Sequence, residues 1–178
     1  MNSIIPGIII SIVSISVMAA TESPYKGQQT RAIKALSQQK IDGYLMGKGM
    51  GYAKAAELNN YPGPRHVLDM ANELKLSAEQ IQQTQAIFDS MQTRAVELGK
   101  QLVEKEKELD HKFANRQIDA NTLASLVSEI GLLEVKIRNV HLAAHLEQKA
   151  LLSKDQIGQY ARLRGYGTMH GHKHHHAY

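Results

Sequence analysis

The strongest constraint on the fold is a pair of long amphipathic segments separated by a short break. Apolar residues of the first segment recur every three or four positions; they are Ile81, Phe88, Met91, Ala95, Leu98, Leu102 and Leu109. The second segment repeats this spacing with Leu123, Leu126, Ile130, Leu133, Ile137, Val140 and Ala144. Such spacing places the side chains on one face of a helix. Two long helices with matching apolar faces and a break at residues 115–119 predict an antiparallel helical hairpin.

Two near-copies of one motif flank this hairpin: Leu76-Ser77-Ala78-Glu79-Gln80 and Leu152-Ser153-Lys154-Asp155-Gln156. The first backbone N–H groups of a helix lack partners within the helix. A Ser hydroxyl can accept from the N–H three residues on, while the Gln side chain reaches back to the Ser N–H. Ser77 is therefore predicted to begin a first long helix that ends near Phe113. Ser153 is predicted to begin a last helix that ends at Arg164-Gly165.

Composition supports an all-α fold: a long antiparallel hairpin with short flanking helices, one of them from Pro64 to about Leu74. Hydrophobic residues make up 43% of the 178 residues but aromatic residues only 5%, and no segment shows strand patterning. The formal net charge is +4, with both signs interspersed, so no nucleic-acid partner is predicted. The absence of Cys excludes disulfides, thiolate metal sites and Cys nucleophiles.

The first 19 residues resemble a secretory signal. Residues 4–18 are mostly apolar, and Val17 and Ala19 occupy the two positions that a signal peptidase reads. The apolar run is shorter than the roughly 20 residues of a membrane span. Cleavage is the main prediction. An uncleaved N-terminal anchor is the alternative, because the first three residues carry no Lys or Arg.

Three further segments follow the signal. Residues 20–44 are polar and predict a flexible lead-in, with a short helix at residues 31–38. Residues 45–167 predict the all-helical domain. Residues 168–178 are rich in His and predict a tail that is disordered without metal.

Two groups of histidines are candidate metal ligands. His141 and His145 lie four residues apart, so both imidazoles project from one helix face and could share Zn, Cu, Ni or Co. Met91 and Arg94 are expected opposite His141. The alternative is that both histidines have a structural role beside the helix seam. The second group lies in the tail and comprises His170, His172, His174, His175 and His176.

Such a dense set of imidazoles binds divalent first-row metals above a pKa of about 6.5. The alternative is an incidental flexible tail. No cofactor is required, and a divalent metal is the one expected ligand. An enzyme is not predicted, because no carboxylate pair or nucleophile–base set stands out. The segment His141-Leu142-Ala143-Ala144-His145 also lacks the Glu of a zincin motif.

Residues 45–167 resemble the Spy/CpxP family of periplasmic chaperones, grouped with the ZraP-like and CnrX-like heavy-metal resistors. The resemblance rests first on the paired motifs, in which Ser replaces the family's Thr. It rests also on three further segments: Gly49-Met50-Gly51-Tyr52-Ala53-Lys54-Ala55-Ala56-Glu57-Leu58-Asn59, Tyr61-Pro62-Gly63-Pro64 and Leu163-Arg164-Gly165-Tyr166.

The resemblance implies a bent hairpin, a cradle-like homodimer and a periplasmic location. It also implies an ATP-independent chaperone that holds unfolded or misfolded periplasmic proteins, and an envelope-stress sensor kinase as a further partner. Basic residues of the hairpin available to clients are Lys100, Lys105, Lys107, Lys112, Arg116, Lys136 and Arg138. The alternative function is a heavy-metal resistor that buffers or senses Zn, Cu, Ni or Co.

Overall fold

The computed structural model describes residues 22–166, which contain six α-helices and no strand. The helices are α1 (Gln38–Leu45), α2 (Lys54–Glu57), α3 (Pro64–Asp69), α4 (Ala78–Ala114), α5 (Ala120–Leu151) and α6 (Lys154–Leu163). The all-α prediction is confirmed. The chain divides into two compact units at residue 30, and the described part of the first holds only a 3-10 turn at Gln28–Thr30. None of the helices within residues 22–166 is long and apolar enough to cross a membrane.

Helices α4 and α5 form the predicted hairpin, with 37 and 32 residues. They pack against each other more extensively than any other pair of helices. The predicted break is correct: α4 ends at Ala114, and Asp119 caps α5 by accepting from the Thr122 N–H. Every residue of the predicted apolar stripe of α5 is buried except Leu123, which lies in the first turn. On α4 only Ala95 and Leu102 of the predicted stripe are fully buried, while Ile81 is exposed.

The two capping motifs meet in space. Ser77 and Ser153 each accept from the predicted backbone N–H, and Gln80 and Gln156 each accept from the Ser N–H. The two Gln side chains also bond to each other, each Nε2 donating to the other's Oε1 at 3.0 Å. The same nitrogens donate to the carbonyls of Leu151 and Leu74. A carboxylate could complete either cap, but only an amide can both accept and donate, so Gln ties the starts of α4 and α6 together.

The segment before α2 packs on the hairpin. Ile33, Leu36 and Tyr44 are buried in one core cluster with Leu102, Val103, Leu133 and Ile137. The Asp110 carboxylate accepts from both the backbone N–H and the Nζ of Lys34, each at 2.9 Å. The structure therefore differs from the expected lead-in at residues 31–44: the helix begins at Gln38 after the Ser37 cap, and apolar burial holds the segment in place.

A second core cluster joins α3 to α6. It is formed by Val67, Leu74, Leu152 and Tyr160, with Leu76 and Ile157 packed beside it. Helix α3 ends at Asp69, five residues before the predicted end. This cluster lies beside the paired motifs, so the returning end of the hairpin is closed by both polar and apolar contacts. The signal segment 1–19 and the His-rich residues 168–178 lie outside the described residues.

Candidate functional site

His141 and His145 lie one turn apart on α5 and are only 3% and 9% exposed. Both line a cavity of about 370 Å³, which we refer to as the histidine cavity. Its other walls come from the loop after α1, from the start of α3 and from α4. The remaining lining residues are Met46, Gly47, Lys48, Gly49, Ala53, Gly63, Pro64, Arg65, His66, Phe88, Met91 and Gln92.

The ring of His145 is oriented by backbone. Its Nδ1 lies 2.7 Å from the carbonyl oxygen of Tyr61. A carbonyl can only accept, so Nδ1 is the donor, and in the neutral ring the lone pair then lies on Nε2. This arrangement is typical of metal-binding histidines, in which one ring nitrogen donates to a fixed acceptor. Gly63 lies against the free nitrogen: a Cβ at this position would be 3.0 Å from Nε2.

His141 has an unpaired nitrogen in the interior. Its ring stacks on Tyr52, with centroids 6.3 Å apart and planes 8° from parallel. The Nε2 atom is buried and has no hydrogen-bond partner among residues 22–166, and leaving such an atom unpaired costs about 1–3 kcal/mol. Burial, and then the neighbouring charge of His145, lower the pKa of His141 below its usual 6.5. The imidazole is therefore neutral at pH 7, which is the form that binds a metal.

His141 and His145 offer two candidate imidazole ligands in the wall of one cavity. Within residues 22–166, no three His, Asp or Glu side chains come together in a geometry that could hold an ion. His66 lines the same cavity, but its Nδ1 lies 3.5 Å from Asp69 Oδ2. Met91 lies in the cavity, as expected, together with Met46. Arg94 borders a different groove, beside Val140.

Sequence reasoning did not single out Glu57, which connects the histidine cavity to the end of α6. Its Oε1 accepts from the Tyr160 hydroxyl at 2.6 Å, from Arg164 Nε at 3.1 Å and from the Tyr166 hydroxyl at 3.2 Å. Its Oε2 is buried, accepts no hydrogen bond from the described part of the chain, and lies 3.8 Å from His145 Nδ1. Burial and this carboxylate together raise the pKa of Tyr160. The sequence does contain one feature that could have pointed to Glu57: it is the only carboxylate between Asp42 and Asp69.

A second surface feature is an apolar stripe on the solvent-exposed side of α5. Leu132, Val135 and Leu146 are 54%, 64% and 60% exposed. They follow three-four spacing through Asn139 and Leu142, which puts them on one face, opposite Leu133, Ile137 and Val140. We refer to this stripe as the outer apolar face. The three-four spacing in the sequence predicted only the buried face of α5, because the periodicity of its buried residues is the more regular pattern.

A family model described as heavy-metal resistance matches residues 49–159, which is more than half of the chain. The match extends from the loop before α2 into α6. It includes His141 and His145, and it ends before the His-rich tail. No curated protein and no solved structure matches the chain.

Proposed function

The chain belongs to the heavy-metal resistance family, and on that premise we propose that it binds a metal ion through His141 and His145 in the periplasm. The observation that supports this most directly is the buried, unpaired Nε2 of His141. A purely structural histidine would normally have a partner for this atom. His145, one turn away, has its Nδ1 occupied by Tyr61 and its Nε2 free. A metal ion bound by both rings would satisfy both nitrogens.

The ligand chemistry favours borderline and soft metals. Neutral imidazoles suit Zn, Cu, Ni and Co, and thioethers add preference for Cu(I). Met46 and Met91 line the same cavity as the two histidines. A site with two fixed imidazoles leaves positions open, which suits a protein that buffers or senses metal and then releases it. The signal-like residues 1–19 support a periplasmic location.

Zinc titration by calorimetry tests this proposal. We expect a variant carrying both His141→Gln and His145→Gln to lose the tightest binding event. The matched control is His111→Gln, an exposed position in the last turn of α4, which should leave it unchanged. Gly63→Ala is a second test, which keeps both histidines. Its methyl group would contact His145 Nε2, so it should weaken zinc binding at that nitrogen. Unchanged zinc affinity in the double variant would refute the proposal.

A second candidate function is the holding chaperone, and the outer apolar face favours it. Exposed apolar side chains of this kind mark protein–protein contacts. Lys136 lies beside Leu132 in a groove with Lys100, so basic charge adjoins the apolar surface. Unfolded periplasmic clients would bind through such weak, distributed contacts. The homodimer and the sensor-kinase contact remain predictions, and the three-four spacing around Asn139 also suits a second copy of the chain.

Light scattering of an aggregating client, measured together with the mass of the oligomer, tests the second candidate. Val135→Lys places a charge in the middle of the outer apolar face, and Glu134→Lys is an adjacent exposed control. Loss of suppression in Val135→Lys alone, at unchanged mass, supports client binding at this face. Conversion of a dimer to a monomer with suppression retained assigns the face to the homodimer. No suppression by the unmodified protein at stoichiometric amounts refutes the chaperone.

A further inference from the structure

We infer that the histidine cavity is a Cu(I) site in which the thioethers of Met46 and Met91 complete the coordination begun by His141 and His145. The inference rests on the proposed metal binding by the two histidines and names the ion that the whole set of donors fits. Four neutral donors from the loop after α1, from α4 and from α5 then surround one ion.

The first argument is the kind of donor atom that the cavity offers. Met46 and Met91 line it beside the two histidines of α5, and no Asp or Glu lines it within residues 22–166. Its third imidazole, His66, lies against Asp69 and does not join the other two in a metal-binding group. Thioethers suit Cu(I), whereas zinc takes thiolates, imidazoles and carboxylates. The cavity therefore offers four candidate ligands to Cu(I) but two to zinc.

The second argument is the charge around the ion. The permanently charged side chains that line the cavity within the described residues are Lys48 and Arg65, both cationic. Glu57 lines a neighbouring cavity instead, and its Oε2 lies 3.8 Å from Nδ1 of His145, not beside the free Nε2. Imidazoles and thioethers are neutral, and the repulsion from fixed cations doubles between a monovalent and a divalent ion. This lining therefore favours Cu(I) over divalent ions.

The third argument is that backbone contacts hold both methionines beside the histidines. The carbonyl oxygen of Met46 accepts from Gln92 Nε2 at 2.6 Å, so the loop after α1 is tied to the helix turn that carries Met91. Further along the same loop, a Cβ at Gly49 would lie 3.9 Å from His141 Nδ1. One short loop thus extends from the methionine of α4 to the buried imidazole of α5.

The two sulfur atoms have the freedom that a ligand needs. Met46 is 53% exposed at the end of α1, and Met91 is half-buried on α4. A methionine side chain is unbranched and has three rotatable bonds, so its sulfur can approach an ion while the backbone stays in place. The imidazoles, in contrast, are fixed by burial, by the Tyr61 carbonyl and by the stacking of Tyr52.

Anaerobic competition against a chromophoric Cu(I) chelator tests the inference. All proteins are full-length and have the five histidines of residues 168–178 changed to Gln, so that only the cavity is titrated. The test variant carries Met46→Leu and Met91→Leu, which keep apolar character and volume. The matched control is Met70→Leu, a methionine that packs on the second core cluster. The test variant should bind Cu(I) about 100-fold more weakly, about tenfold for each thioether, and the control should bind it unchanged.

Zinc calorimetry on the same proteins separates this inference from the proposed function. The two methionine changes should leave zinc affinity within about twofold, because thioethers are not zinc ligands. His141→Gln together with His145→Gln should weaken the binding of both ions. If the methionine changes leave Cu(I) binding unchanged, or weaken zinc as much as Cu(I), the inference is overturned and the proposed function stands. If the histidine changes affect neither ion, the proposed function fails.

X-ray absorption at the copper edge gives a readout that does not depend on affinity. The chain has no Cys, so sulfur bound to copper can come only from a methionine. We expect sulfur and imidazole nitrogen around Cu(I) when Met46 and Met91 are present, and no sulfur in the Met46→Leu, Met91→Leu variant. Copper bound by nitrogen alone in the presence of both methionines overturns the inference, and so does sulfur that persists in the variant.

Discussion

Gly99 and Gly131 both lie inside long helices, yet an added methyl group should have opposite consequences at the two positions. A Cβ at Gly99 would lie 2.2 Å from the carbonyl oxygen of Tyr44 and 2.8 Å from its carbonyl carbon. A Cβ at Gly131 would have no neighbour within 4 Å among the described residues. The backbone of α1 thus packs directly on α4 at Gly99, and only glycine permits that approach.

The expected free energies follow from these distances. Ala is favoured over Gly within a helix by about 0.8–1.0 kcal/mol, so Gly131→Ala should stabilise the protein by about that amount. At Gly99 the same gain is opposed by a backbone clash, and relieving it requires α1 to move by about 1 Å to reach ordinary contact distance. Overpacking of this kind costs about 1–3 kcal/mol and occasionally more. We expect Gly99→Ala to be the less stable variant by about 1–3 kcal/mol, because the helix gain is the same at both positions and cancels in the comparison.

Thermal unfolding followed by circular dichroism in chelator measures this difference. For a chain of this size, 1 kcal/mol corresponds to about 2–4 °C in the unfolding midpoint. The loop after α1 lines the histidine cavity, so Gly99→Ala should also weaken zinc binding, whereas Gly131→Ala should not. If Gly99→Ala raises the midpoint as much as Gly131→Ala does, α1 does not pack on α4 as described.

Three further predictions concern contacts elsewhere in the fold. Gln80→Leu and Gln156→Leu should each destabilise the protein, and a double-mutant cycle by urea unfolding should give a coupling of about 0.5–1.5 kcal/mol for their mutual bonds; additive effects would contradict the pairing. For His141, the folded pKa lies below the unfolded value of about 6.5, so its contribution to stability is present above that pH and is lost as the pH falls. The metal-free protein should therefore lose more stability between pH 7.5 and pH 5.5 than His141→Gln does, and equal losses would refute this. Asp110→Ala should accelerate amide exchange at residues 31–36, since it removes both bonds to Lys34, with a cost in stability of about 0.5–1 kcal/mol; Asp89→Ala, on an exposed part of α4, is the control.

The long helices and α6 were predictable because their signals are local. Three-four spacing and the Ser77 and Ser153 caps predicted the hairpin and the starts of α4 and α6 nearly to the residue. A cap depends on residues three positions apart, and an apolar stripe depends on the turn of a single helix. That His141 and His145 share one face of α5 was likewise readable, since they lie four residues apart on one helix.

Contacts between distant segments could not be read in this way. Nothing in the polar residues 31–44 shows that Ile33 and Leu36 are buried, because their partners lie about 70–100 positions further along the chain. The role of Glu57 depends on Tyr160, Arg164 and Tyr166, which are 103 to 109 residues away. The outer apolar face could be identified only after the packing of α5 on α4 showed which side of α5 is buried.

The sequence by itself determined the two long helices of the hairpin, the start of α6 and the two Ser–Gln capping motifs, because these depend on neighbours within one or two turns. Only the tertiary structure decided that Gln80 and Gln156 bond to each other and that Gly99 admits the backbone of α1. It also decided that both imidazoles line one cavity with an unpaired nitrogen, because such burial and hydrogen bonding arise only when separate helices pack together.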